Sequence, residues 1–168
     1  MEEGLVQIYS GEGHGKSAAA IGRALQVACN GENVVIIRFL KGMRNDGFLK
    51  RLEPEIKIFR FEKSEEEFSQ LSAERQQEEI HNIKNGLNFA KKVLTTGECS
   101  LLILDEVLGL IDNGIISVEY LQRIVEAKAD DVGIIMTGIH LEDKVCELAD
   151  EISKIEAVNY KIFRHSIQ

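Results

Sequence analysis

Hydrophobic positions along the chain fall into two alternating patterns. The first is the short run. Leu5–Tyr9 reads as a strand and breaks at Ser10-Gly11-Glu12-Gly13-His14-Gly15. Val34–Phe39 and Leu101–Leu104 are almost wholly apolar, as expected of strands buried on both faces of a parallel sheet. Gly133–Met136 is a further run, followed by Thr137-Gly138. Ile56–Phe61 alternates instead, with Ile56 and Ile58 facing one way and Lys57, Phe59 and Phe61 the other. With Pro54 just before it, this segment reads as a strand nearer an edge.

The second pattern is helical. From Lys16 on, Ala19, Ala20, Ala24, Leu25 and Ala28 form a face of mostly small apolar residues, and Asn30-Gly31 is a stop signal. Ile80, Ile83, Leu87, Ala90 and Leu94 follow spacings of three and four. That spacing predicts a helix capped by Ser72 and stopped by Gly97. Ser117 opens another helix, and a last one is predicted over 142–149.

Strands alternating with helices predict an α/β fold with right-handed crossovers and a mostly parallel sheet covered on both sides. No internal repeat, low-complexity linker or boundary interrupts the pattern, so residues 1–168 are expected to form one domain. Ligands of such sheets bind beyond the carboxyl ends of the strands. Two polar clusters fall there: the glycine-rich turn after the first strand, and Asp105-Glu106 after Leu101–Leu104.

Composition narrows the classes. The chain has 168 residues, with 20 Lys+Arg against 28 Asp+Glu and a formal charge of −8. That balance argues against a non-specific nucleic-acid binder, which needs a basic footprint. No apolar stretch approaches the roughly 20 residues of a membrane span. The acidic start is unlike a secretory signal. Cys29, Cys99 and Cys146 are far apart and odd in number, which predicts three reduced thiols in a cytoplasmic protein rather than a disulfide framework or a zinc site. The acidity is uneven. Residues 62–79 carry two basic and seven acidic side chains and read as a solvated helical segment, whereas Arg38, Lys41, Arg44, Lys50 and Arg51 follow the second strand.

The segment Ser10–Ser17 approaches the phosphate-binding pattern G-x-x-x-x-G-K-[ST], with Ser10 at the first glycine position. Triphosphate oxygens need several backbone N–H groups converging on them. Gly11, Gly13 and Gly15 let the backbone curl close without Cβ clashes, and the helix N-terminus adds partial positive charge. Lys16 supplies a full charge and the Ser17 hydroxyl a ligand for Mg²⁺. The candidate phosphate contacts are thus Ser10, Gly11, Glu12, Gly13, His14, Gly15, Lys16, Ser17 and Ala18. An apolar strand ending in Asp105-Glu106 is the matching Walker-B arrangement, whose carboxylate holds Mg²⁺ directly or through water. Ser17, Asp105 and Glu106 are the candidate metal residues, and physics alone does not choose between the two acids. The expected fold is a P-loop NTPase-like, RecA-like three-layer sandwich.

With these pieces placed, the chain resembles the P-loop ATP:corrinoid adenosyltransferases of cobalamin biosynthesis and salvage, over most of its length to about residue 157. The resemblance rests on the register from Gly15-Lys16-Ser17 through Gly22 and Ala24 to Asn30-Gly31, on Val35–Gly42, on Leu104-Asp105-Glu106, on Thr137-Gly138 and on Glu147–Asp150. It implies that Co(I) of a reduced corrinoid attacks the 5′ carbon of ATP and that the whole triphosphate leaves. Lys16 and Glu106 are then the residues expected to carry catalysis, by position and charge. Mg²⁺, ATP and a corrinoid are the implied cofactor and substrates. A flavoprotein or other reductase and a second copy of the chain are the implied partners; nucleic acid and membrane are not. Phe61 or Phe68 would pack against the macrocycle, or else belong to the core.

The chain departs from the family pattern at several positions. The family loop reads Gly-Asn-Gly-Lys-Gly-Lys-Thr-Thr, and Glu12, His14, Ser17 and Ala18 replace four of its members. A family arginine in the first helix is Gln26, and the family's Thr-Gly-Arg is Thr137-Gly138-Ile139, beside His140. The usual tail is replaced by residues 160–168. Two competitors to the transferase remain open on these grounds: a P-loop ATPase or kinase-like enzyme, and a degenerate relative that binds ATP or corrinoid without turnover.

Overall fold

The computed structural model describes residues 3–40 and 47–167. In chain order the elements are β1 (Val6–Ser10), α1 (Gly15–Cys29), β2 (Val34–Arg38), β3 (Ile56–Arg60), α2 (Ala73–Thr96), β4 (Leu101–Asp105), α3 (Val107–Asp112), α4 (Val118–Glu126), β5 (Gly133–Gly138), α5 (Asp143–Cys146), β6 (Glu151–Lys154) and α6 (Tyr160–Ile167). Two 3-10 turns, Gly47–Leu52 and Phe68–Gln70, flank β3. The strands form one sheet in the order β3-β2-β4-β5-β1-β6. Every pairing is parallel, so the sheet is wholly rather than mostly so.

Two cores sandwich the sheet. On one face Val35, Ile37, Leu102, Leu104, Ile134 and Met136 pack against Ile83, Leu87 and Leu94 of α2, Leu108 of α3 and Leu121 of α4. On the other, Ala20 and Ala24 of α1 meet Val34, Ile36, Ile56, Leu101, Ile103 and Ile135. Alanine at these two positions lets α1 lie close to the strands. The buried stripe of α1 differs in part from the predicted one: Ala28 packs against the core as expected, but Ala19 and Leu25 are exposed, and Ile21 and Val27 take their place. β2 and β4 are buried along their whole length, as their unbroken apolar runs predict, and β3 is an edge strand.

The predicted caps hold. Ser72 accepts a hydrogen bond from the Arg75 N–H at 3.4 Å, and Gly97 closes α2 with φ +69°. Ser117 accepts from the Tyr120 N–H at 3.1 Å at the start of α4. The helix predicted over 142–149 is only four residues long. Asp150 explains the early stop: its carboxylate accepts from the Val6 N–H at 2.8 Å while its own N–H donates to the Val6 carbonyl. This two-way bond turns the chain into β6, an edge strand exposed along its whole length. Residues 62–71 are loop and 3-10 turn rather than the helix predicted for the acidic segment. Cys29 is exposed, Cys146 is partly covered, and burial pushes the Cys99 thiol up to about 11. Among the described residues no helix is long and apolar enough to cross a membrane.

Candidate active site

β5 lies between β1 and β4, so the glycine-rich turn after β1 and the acids ending β4 meet across the end of β5. The parallel register sets Arg38 of β2 directly opposite Asp105 of β4. Their ion pair spans 3.6 Å, with both side chains buried. Asp105 also accepts from the Ser17 hydroxyl at 2.9 Å and from the Thr137 hydroxyl at 2.8 Å. Thr137 in turn accepts from the Glu106 N–H at 2.7 Å. One carboxylate thus ties the loop, β2, β4 and β5 together.

Glu106 stands in the left-handed region, φ +63°, which costs a non-glycine residue of the order of 1–3 kcal/mol and persists where neighbours enforce it. Thr137 is that neighbour. The turn aims the Glu106 carboxylate at the loop, where its Oε2 lies 3.7 Å from the Lys16 ammonium. Gly138 completes the corner. A Cβ there would collide with the Leu108 side chain, so glycine is what lets α3 press against the end of β5.

These residues border a cleft of about 900 Å³. Glu12, Gly13, His14, Lys16, Ser17 and Glu106 line one wall. Leu40, Glu65, Glu67, Phe68 and Ser69 line the facing wall, and Gly109, Asp112, Asn113, Ile139 and His140 the rest. The other predicted loop residues lie elsewhere. Ser10 is buried, Ala18 is exposed outside the cleft, and Gly11 and Gly15 back onto the tail. A Cβ on Gly11, whose φ is +149°, would strike the Ile155 carbonyl. One on Gly15 would come within 3.0 Å of the Ile155 side chain. These glycines therefore admit the segment after β6.

Several expectations change with these placements. Asp105 lies behind the wall, and only Glu106 of the two acids faces the cleft. Glu12, one of the candidate contacts, lines the cleft and brings a carboxylate to it. Gln26 is exposed on α1, accepts from the Arg23 guanidinium at 3.0 Å and is no part of the cleft. Phe61 packs with Phe89, ring centroids 5.6 Å apart, and belongs to the core, whereas Phe68 lines the cleft. Arg38 is an internal partner of Asp105 rather than a member of a surface cluster, Lys50 and Arg51 are exposed on a 3-10 turn, and Lys41, Gly42 and Arg44 lie outside the described residues.

Glu62 lies outside every motif, and Arg38 and Leu40 lie within Val35–Gly42 but have no place in the predicted site. An arginine ending an otherwise apolar strand was the available signal for Arg38. Leu40 has φ +56° and carries its side chain into the cleft. Both oxygens of Glu62 accept from its N–H at 3.0 Å.

The profile of the family described as ATP:corrinoid adenosyltransferase BtuR/CobO/CobP matches residues 2–168. The chain belongs to this family. The match runs past residue 157, where the motif resemblance ended, so the tail is part of it. A corrinoid adenosyltransferase of Escherichia coli K12 is 23% identical over 159 residues, covering 95% of this chain and 80% of that protein. One from Pseudomonas aeruginosa is 24% identical over 162 residues, covering 95% and 78%. Among solved structures, a KaiC-like protein of Pyrococcus horikoshii OT3 superposes with a TM-score of 0.60 at 18% identity, over 95% of this chain and 76% of that one. That likeness concerns the fold, a RecA-like P-loop sandwich. This member of the adenosyltransferase family places Lys16, Ser17 and Glu106 in the cleft lining, together with Ile139 and His140.

Proposed function

We propose that the protein transfers the 5′-deoxyadenosyl group of ATP to Co(I) of a reduced corrinoid, with release of triphosphate. The observation that carries this reading is one cleft that joins a phosphate-suited loop to apolar side chains. Lys16, Ser17 and the loop backbone form a polar wall suited to phosphates, and Leu40 and Phe68 stand among Glu65, Glu67 and Ser69 in the rest of the lining. In the reaction the cobalt electron pair forms the Co–C bond, the bond from C5′ to oxygen breaks, and its electrons leave with the triphosphate. No proton has to move, so no general base is needed. Catalysis then rests on position and charge. Lys16 exchanges its contact with Glu106 for the phosphates, and the amides of Gly13 and its neighbours hold the leaving group.

The donor set also fits Mg²⁺. Ser17, Asp105 and Glu106 offer hard oxygens, and this ion is usually held by one or two carboxylates plus substrate phosphates. Ser17 and Glu106 would hold it from the cleft side, with Asp105 fixing the Ser17 hydroxyl from behind. When bound, the ion supplies charge neutralisation on the triphosphate. The same reading includes a cytoplasmic site of action, a flavoprotein or other reductase that delivers Co(I), and a homodimer.

Incubation with MgATP and chemically reduced cobalamin tests it, with Co–C bond formation followed by absorbance. Adenosylcobalamin is the expected product. ADP without a Co–C bond would indicate an ATPase, and ATP binding with neither product a non-catalytic binder.

A further inference from the structure

Among the described residues two non-glycine positions have positive φ, and both end neighbouring strands at the cleft: Glu106 after β4 and Leu40 after β2. Backbone strain of this kind survives only where the surroundings enforce it. Thr137 holds Glu106. At Leu40 that work falls to Glu62, whose two oxygens both accept from the Leu40 N–H at 3.0 Å. Glu79 of α2 secures the base of this clamp, since its carboxylate accepts from the Lys63 N–H at 3.1 and 3.2 Å. The held side chain lines the cleft beside Gly109 of α3, where an added Cβ would lie 3.0 Å from Leu40 Cδ1. Glu62 itself does not line the cleft.

We propose that Glu62 is a positioning residue for adenosyl transfer, acting through Leu40 to set the wall that faces the phosphate loop. This rests on the adenosyltransferase reading. The phosphates are held across the cleft by other residues, so the clamp governs how the reacting carbon meets the corrinoid rather than how tightly ATP binds. A shift of about an ångström in such a wall costs of the order of 100-fold in rate.

Burial raises the Glu62 pKa above the usual carboxylate range, against the opposing pull of the Leu40 N–H and of Arg60. The charged groups facing it among the described residues are Arg60 of β3, Glu66 of the loop and Glu79 of α2. A carboxyl whose folded pKa is raised favours folding below its unfolded pKa, and that contribution is lost as pH rises through the folded pKa. The ionised form that best clamps Leu40 is therefore the form that burial penalises. Turnover and stability should move in opposite directions at this residue, which a merely structural role would not produce.

The experiment compares wild type, Glu62→Gln and Glu62→Leu as full chains, with MgATP and chemically reduced cobalamin. Glu62→Leu is expected to lower kcat about 10- to 100-fold while calorimetric MgATP affinity stays within about twofold. Glu62→Gln keeps one acceptor oxygen and drops the buried charge. It should retain at least about a third of kcat at pH 7, melt at or above the wild-type temperature, and lose the acid limb of the wild-type kcat–pH profile. Hydrogen exchange at the Leu40 amide reads the clamp without any reaction, and should quicken about tenfold or more in Glu62→Leu. Wild-type kcat in Glu62→Leu, or an unchanged Leu40 exchange rate, would overturn the proposal. So would a loss of turnover in both variants that merely tracks a lowered melting temperature. A wild-type chain that makes no adenosylcobalamin would instead overturn the reaction reading, and the Leu40 amide would still decide whether the clamp exists.

Discussion

On the Lys16 side of the cleft, Lys16, Asp105 and Thr137 are buried, and each polar group meets a partner from another strand or loop. On the facing side, Glu65, Glu67 and Ser69 are exposed, Phe68 is half-buried, and the chain runs as loop and 3-10 turn. The first wall is built at the ends of central strands, where register alone brings Arg38 to Asp105. The second combines Leu40 after β2 with the loop beyond the edge strand β3, and carboxylates grip the backbone N–H groups of Leu40 and Lys63. Under the proposed reaction the contrast separates two tasks. A wall that grips a triphosphate gains from rigidity, because preorganised charge costs nothing to rearrange during the reaction. A wall that admits and releases a large flat substrate gains from fewer buried contacts.

The largest effect should come from breaking the centre of the rigid wall. Asp105→Ala strips partners from Arg38, Ser17 and Thr137 at once, and is expected to cost about 3–5 kcal/mol, mostly through the stranded buried charge. Thermal unfolding should show a fall of roughly 10 °C. A fall of only a degree or two would show that the network is not what holds this wall. Lys16→Ala should next reduce MgATP affinity by about 100-fold or more in calorimetry, since a buried charge-assisted contact is removed. Unchanged affinity would end the phosphate assignment. Gly138→Ala forces a methyl onto Leu108 and should destabilise the fold by about 1–3 kcal/mol in denaturant unfolding. Phe68→Ala should have the smallest effect on the fold, within about 1 kcal/mol, with MgATP affinity unchanged and corrinoid KM raised about five- to tenfold. If Phe68→Ala instead weakened ATP binding as Lys16→Ala does, the two walls would not have separate tasks.

The two walls also differ in how far they can be read from the chain. Gly-Lys-Ser after an apolar strand and Leu-Asp-Glu after another are local patterns that encode backbone geometry and charge together, so the meeting of Lys16 and Ser17 with Glu106 and Asp105 is legible. So are β2 and β4, whose unbroken apolar runs leave no solvent face, and α2, whose period and caps agree. β6 is not, because an exposed edge strand has no apolar alternation and forms through Asp150 gripping Val6, 144 residues away in sequence. α3 follows from Thr137 and Gly138 receiving it, contacts made across about 30 residues. Seven acids between residues 62 and 79 look like a solvated face by composition. Two of them, Glu62 and Glu79, turn inward because backbone N–H groups at Leu40 and Lys63 need acceptors, and composition carries no trace of that need.

The central claim is that the polar wall holds a triphosphate that leaves whole while the facing wall presents the corrinoid. Phosphorus NMR of the products formed from MgATP and reduced cobalamin tests it most directly. The expected result is free triphosphate in a one-to-one ratio with adenosylcobalamin and no ADP. ADP and inorganic phosphate without a Co–C bond would contradict it.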